Sequence, residues 1–259
     1  MMPTIFLPKL QVLYPQFHQH MFTAAIVLAI IFTSLGFIVT ASNAKYILSG
    51  YNTMSEADRA KMDIVGYVRF FKRFHIFLGL SLITGFLILT LLNNNWAGSF
   101  IIIYPLLAYV FLIAKGNKYY RGTKGQRSGT YVGMAILLVI IAGISTQLYS
   151  SLQDSKLIFT DNSMEIKGMY GLTLSKADIA KIELVPELPP ISYKSNGFAA
   201  GDFAKGNFKT KDGRTIKLFV NKKINPFLFI TTKTDQIYYS SNEIASQALY
   251  DKVRLWSAN

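Results

Sequence analysis

Four apolar stretches, Phe22–Ala41, Ile76–Leu92, Ser99–Ala114 and Tyr131–Tyr149, fill most of the first 150 residues and contain no charged side chain. A bilayer core about 30 Å thick is crossed by roughly 20 helical residues. In lipid the backbone amides must be satisfied within the segment, so the pattern predicts four transmembrane helices. Ahead of the second stretch, Ser55-Glu-Ala-Asp58 reads as a helix start. The Ser hydroxyl accepts from the free amide three residues on, and acids oppose the positive helix end. Met62, Val65, Phe70 and Phe74 follow loosely on one face. That predicts a membrane-surface helix running into the span, with Arg69, Lys72 and Arg73 at headgroup depth.

Beyond Ser155 the period changes from long apolar runs to short alternating ones. Strands are predicted at Leu157–Thr160, Met164–Ile166, Gly171–Leu174, Ile179–Val185, Ile191–Lys194, Phe203–Thr210, Thr215–Val220, Phe227–Thr231 and Gln236–Ser240. Asp212-Gly213 reads as a two-residue hairpin turn, and Asn225-Pro226 breaks the chain. In the last segment Ile244, Ala248, Leu249, Val253 and Trp256 recur at helical steps behind Asn242, a predicted cap. The organisation is therefore a helical membrane domain over 1–150 and a β-rich domain over 155–259.

Charge adds an orientation. The net charge is +13, yet only Glu56, Asp58 and Asp63 are acidic before Ser150. Lys45, Arg59, Lys61, Arg69, Lys72 and Arg73 lie between the first two spans, and Lys115, Lys118, Arg121, Lys124 and Arg127 between the last two. The N-terminal tail has only Lys9, and Asn93–Gly98 has no charge. Basic loops stay cytoplasmic, so the N-terminus and everything after Tyr149 are expected outside. A cleaved leader ending at Ala44 is the competing reading, but the apolar run is longer than a leader's core and would strand Arg69–Arg73 outside. The positive charge beside spans is better explained by anchoring than by nucleic acid. There is no cysteine, which removes disulfides and thiolate chemistry.

Ser49-Gly50-Tyr51-Asn52-Thr53-Met54-Ser55, with the charged start after it, resembles the loop that marks a family of small uncharacterised bacterial membrane proteins of about three spans. The likeness covers about residues 22–115. Some members look distantly related to integral-membrane immunity proteins against peptide toxins; no established chemistry is implied. In the loop, Gly50 permits a turn, Tyr51 suits the interface, and Asn52 and Thr53 bond local backbone. Leu188-Pro-Pro-Ile-Ser, Asn196-Gly-Phe, Lys205-Gly-Asn-Phe, Lys217-Leu-Phe-Val and Pro226-Phe-Leu-Phe-Ile resemble a bacterial PH-like domain family over about 155–255. That resemblance implies an all-β PH-like barrel closed by a C-terminal helix, but no common ligand.

Catalytic signals are sparse. His18-Gln-His20 lacks a third ligand nearby, and His75 is expected at the far membrane face, at a span end. No His or Cys follows residue 75, which excludes a Ser-His-Asp or Cys-His arrangement in the β-rich domain. The spans lack the ionisable residues of ion-coupled transporters. Lys205, Lys209, Lys211, Arg214, Lys222 and Lys223 cluster around hairpin ends. They read either as solvated edges that discourage strand pairing or as a patch for anionic surfaces or an acidic partner. The expectation is a non-enzymatic binding or scaffolding protein of a bacterial inner membrane, with no cofactor. Its expected partners are the lipid bilayer and a membrane protein or second copy. Toxin immunity or envelope stress is the alternative.

Overall fold

The computed structural model describes residues 15–121 and 124–258, and side chains over 19–121 and 128–258. The tail with Lys9, the side chains of His18, Lys124 and Arg127, and Asn259 lie outside the described residues. The chain divides into two compact units that meet in sequence between Thr146 and Gln147.

The helical unit contains α1 (Pro15–Ile38), the single turns α2 (Ala44–Ile47) and α3 (Glu56–Arg59), then α4 (Ile64–Leu92), α5 (Asn94–Gly116) and α6 (Lys124–Ser151). Gln19–Ile38, Ile64–Leu92, Asn94–Tyr119 and Ser128–Ser151 are each long and apolar enough to cross a membrane. By helix composition this is a multi-pass membrane protein.

The surface helix expected from Ser55 is not continuous. Ser55 caps α3, accepting from the Asp58 amide at 3.2 Å, but the helix stops after one turn. Asp63 N–H donates to the Tyr119 carbonyl at 2.9 Å and Arg121 N–H to the Lys61 carbonyl at 3.0 Å. A bridge between Met62 and Tyr120 thus pulls the chain out of helical geometry. Asp63 then opens a new helix, accepting from the Gly66 amide at 2.8 Å. α4 therefore starts at Ile64, twelve residues ahead of the predicted span. Hydropathy marks only the uncharged portion, whereas backbone hydrogen bonding continues through Arg69, Lys72 and Arg73.

Asn93 turns the chain between α4 and α5, its side chain accepting from the Asn95 and Trp96 amides. The helices pack through Phe71, Phe74, Leu78 and Leu112 at one level and through Phe86, Ala97 and Ile101 at another. α1 joins through Ala25 and Phe22, whose ring meets Phe86 edge-on at 5.1 Å. Gly79 sets this approach: a Cβ there would meet Thr33 Oγ1 at 2.1 Å and the Ala29 carbonyl oxygen at 2.6 Å.

The β-rich unit has strands β1 (Leu157–Phe159), β2 (Ser163–Ile166), β3 (Leu172–Ser175), β4 (Ile179–Val185), β5 (Ile191–Ala200), β6 (Phe203–Thr210), β7 (Thr215–Asn221), β8 (Phe227–Thr232) and β9 (Gln236–Tyr239), followed by α7 (Ser246–Ala258). β1-β2-β3 form one antiparallel sheet; the other runs β4-β8-β9-β7-β6-β5. The expected closed barrel is not what the ladders form. Among the described residues β4 and β5 remain opposite edges of an open sheet, and β7 pairs with β9 in parallel. Nonetheless Val185 and Ile191 are joined by only five residues, a reach of at most about 20 Å. Six flat strands would span about 24 Å, so the sheet curls.

Alternation divides its side chains. Ile216, Leu218, Val220 and Phe227 fill the concave side with Phe208 and Leu188. Phe219, Leu228, Ile230 and Ile237 pack on the other side against Met164, Ile166, Leu249 and Val253. A parallel pair survives here because both faces of the sheet are covered. The β6–β7 turn is longer than two residues: Thr210 N–H donates to the Arg214 carbonyl at 3.0 Å. Within it only Gly213 has positive φ, +87°, the pattern of a turn followed by a left-handed glycine. Asn242 does not cap α7, which begins at Ser246.

Candidate functional site

One described cleft with both apolar and polar walls lies in the helical unit. It holds about 450 Å³ and opens between the Leu48–Met62 segment and the end of α5. Leu48, Met54, Met62, Leu112 and Ile113 give it apolar walls, and Tyr51, Tyr67, Tyr120, Asn117, Ser49, Thr130 and Asp58 add polar atoms. Size and mixture are those of small-ligand pockets. Gly50, at φ +85°, makes the bend that brings Tyr51 to the wall. Thr53 Oγ1 donates back to the Gly50 carbonyl at 3.2 Å. Of the four loop residues singled out by sequence, Gly50 and Tyr51 line the cleft; Asn52 and Thr53 are exposed beside it. Asp58 is held by Lys61 at 2.7 Å and by the Ser55 hydroxyl at 2.9 Å. The Asn117 amide nitrogen and Arg59 Nε are both buried without a hydrogen-bond acceptor.

His75 sits inside α4 rather than at a span end, because that helix starts earlier than its apolar run. It is 0 % exposed. Nδ1 lies 2.9 Å from the Phe71 carbonyl and Nε2 lies 3.1 Å from the Tyr109 hydroxyl. Nearby, the Ser81 hydroxyl meets the Tyr104 hydroxyl at 2.5 Å. These are ties between α4 and α5. Among the described residues no three His, Asp or Glu side chains converge as for a metal ion.

The six basic residues of the β-rich unit do not form one patch. Lys205 is 2 % and Lys222 6 % exposed. Lys205 donates to the Gln153 carbonyl, and Lys222 donates to the Gly201 carbonyl at 2.5 Å. Burial lowers the Lys205 ammonium to a pKa of about 8 and Lys222 to about 7, with Asp154 and Asp202 respectively opposing the drop. Lys209, Lys211 and Arg214 lie at the β6–β7 tip, and Lys223 past the other end of β7, where it pairs with Asp202 at 2.9 Å. At about 3.3 Å per residue the two ends of β7 are roughly 20 Å apart. Arg214 is taken up by Asp212 at 2.7 Å and Gln236 at 2.9 Å, and its guanidinium holds the Asp212 carboxyl down at about 2. Membership of a stretch rich in lysine hid the inward direction of Lys205 and Lys222. Strand parity was the available signal for Lys205: it pairs with Phe219, which packs inward.

Lys205 belongs to a set of contacts missed at the sequence level. The segment after α6 is fastened to the sheet. Tyr239 donates to the Ser155 carbonyl, and Asp154 accepts from the Asn242 backbone amide at 2.6 Å and its side-chain amide at 2.8 Å.

β5 is one of the two edge strands of the six-stranded sheet, with Tyr193 57 % exposed. Its register shifts between Ile191 and Tyr193 and between Lys194 and Asn196. Such bulges turn an edge away from further strand addition.

No curated protein and no solved structure matches the chain. A family match falls on the helical unit, and the comparisons identify no PH-like family over the β-rich unit. Residues 26–120, which hold the greater part of α1, the Gly50–Ser55 loop, α4, α5 and most of the cleft wall, match the family model described as Domain of unknown function (DUF3784).

Proposed function

We propose that this chain is a non-catalytic binding protein of the bacterial inner membrane, whose ligand enters the cleft beside the Gly50–Ser55 loop. In this reading the basic loops face the cytoplasm, and the PH-like unit stands on the outer side as a contact module for a membrane-protein partner. The observation that carries it is the coincidence of the loop with the cleft: the loop that carries the sequence resemblance, inside the matched residues 26–120, also supplies Gly50, Tyr51 and Met54 to the wall. A photo-crosslinking amino acid at Tyr51 in the full chain, expressed in bacterial membranes, tests it. An adduct is expected at position 51, lost when Met62→Trp fills the cleft, and none at Tyr46, which is 72 % exposed. Equal labelling at both positions would refute the reading. Removing Lys156–Asn259 is expected to release a copurifying membrane protein without changing the adduct.

A further inference from the structure

We infer that the cleft takes an anionic phospholipid from the surrounding bilayer, phosphate towards Asn117 and one chain along Leu112 and Ile113; this rests on the binding reading above. The position comes first. The cleft lies where α4 begins and α5 ends, at the end of two candidate spans, the level at which lipid headgroups meet protein. Its walls are divided as an amphiphile is divided. Leu48, Met54, Met62, Leu112 and Ile113 offer aliphatic and thioether surface, while tyrosine hydroxyls and Asn117 offer hydrogen bonds.

The need for a phosphodiester follows from what is missing, and the anionic charge from the basic residues around the cleft. Asn117, on the cleft wall, keeps its Nδ2 donor buried and without an acceptor. A buried donor left unpaired costs about 1–3 kcal/mol, and a phosphodiester supplies acceptors and no donors. Asn χ2 is a soft torsion, so the amide can turn into the cleft that Asn117 already lines. The acid on the wall does not oppose an anion, since Asp58 is neutralised by Lys61 at 2.7 Å. Arg59, Lys61, Lys115, Lys118 and Arg121 outnumber Glu56, Asp58 and Asp63 in the two segments that bound the cleft. Such an excess beside a span favours anionic lipid.

The test uses the full chain purified in mild detergent and native mass spectrometry after equilibration with equimolar phosphatidylglycerol and phosphatidylcholine of equal chain length. One phosphatidylglycerol per chain is expected to be retained in preference to phosphatidylcholine. Asn117→Leu is expected to weaken that retention about tenfold, equivalent to about 1.4 kcal/mol, with helix content unchanged. Glycerophosphoglycerol, the same head without chains, is expected not to displace the lipid. Displacement by it at equal concentration would overturn the bilayer source in favour of a soluble phosphodiester. Equal retention of both lipids, insensitive to Asn117→Leu but abolished by Met62→Trp, would overturn the phosphate assignment and leave the cleft as a binding site. Retention indifferent to Met62→Trp would overturn both.

Discussion

The His75 imidazole and the Tyr109 hydroxyl stand 3.1 Å apart across the α4–α5 interface. The Phe71 carbonyl can only accept, so Nδ1 carries the proton, leaving Nε2 to accept from Tyr109. With both ring nitrogens engaged, His75 ties α4 to α5. Interhelical hydrogen bonds in membranes are worth about 0.6 kcal/mol on average. Tyr109→Phe is expected to destabilise the helical unit by about 1 kcal/mol. The double variant His75→Phe with Tyr109→Phe should cost less than the two single losses added, because no polar atom is left orphaned. Unfolding in mixed micelles, read as a double-mutant cycle, checks this, and an additive result would remove the coupling.

Gly79 answers to a different constraint. With Thr33 Oγ1 2.1 Å from where a Cβ would lie, Gly79→Val must push α1 away from α4. A loss of about 1–3 kcal/mol is expected, read as a lower unfolding midpoint in micelles. Gly133→Val is the control, since nothing lies within 4 Å of a Cβ there.

The two buried lysines give the β-rich unit an unusual pH dependence. Lys222, at about 7 when folded, and Lys205, at about 8, bind protons more weakly than in the unfolded chain, where a lysine titrates near 10.4. The unfolded state therefore holds more protons between these limits, and stability rises with pH from about 7 to about 10. Tyr239 acts in the opposite sense. Burial raises its hydroxyl to about 12, so stability falls above pH 10 as the unfolded tyrosine ionises. Thermal unfolding followed by sheet circular dichroism should give its highest midpoint near pH 10. Lys222→Met should flatten the rise and raise the midpoint at pH 7, with Lys223 still pairing Asp202 at 2.9 Å. A midpoint that falls from pH 7 to pH 9 would contradict this account.

Asp154 accepts two hydrogen bonds from Asn242 at 2.6 and 2.8 Å. Asp154→Ala is expected to cost about 1.5–3 kcal/mol, as for hydrogen bonds to a charged group, and to speed hydrogen exchange at the Asn242 amide. Asn242→Ala removes two side-chain ties, its bond to Asp154 and the one it accepts from Asn221 at 3.0 Å, keeps the backbone bond to Asp154, and should cost less. A larger cost for Asn242→Ala would move the fastening from Asp154 to the Asn221 contact.

Much of the β-rich unit was legible because strand alternation is a local property. Ile179–Val185 and Phe203–Thr210 have the predicted bounds, and β5 differs mainly by extending to Ala200. The four apolar runs were equally plain, since charge and hydropathy are read without knowing a neighbour. The candidate site was half legible. The loop carried a resemblance, yet Leu112, Asn117 and Thr130 are far from it in sequence, and only folding brings them to one cleft.

Composition and periodicity alone thus determined four apolar helices, a β-rich second half and an amphipathic terminal helix, because each depends on residues within a few positions of one another. Tertiary structure decided the rest. It buried Lys205 and Lys222 while leaving Lys211 and Lys223 in water, gave Asn242 to Asp154 instead of to a helix, and set His75 against Tyr109. It also placed β7 beside β9 in parallel and kept β4 and β5 at opposite edges of the sheet. Each of these outcomes depends on partners distant in the chain, whose meeting is governed by burial and packing that no local pattern records.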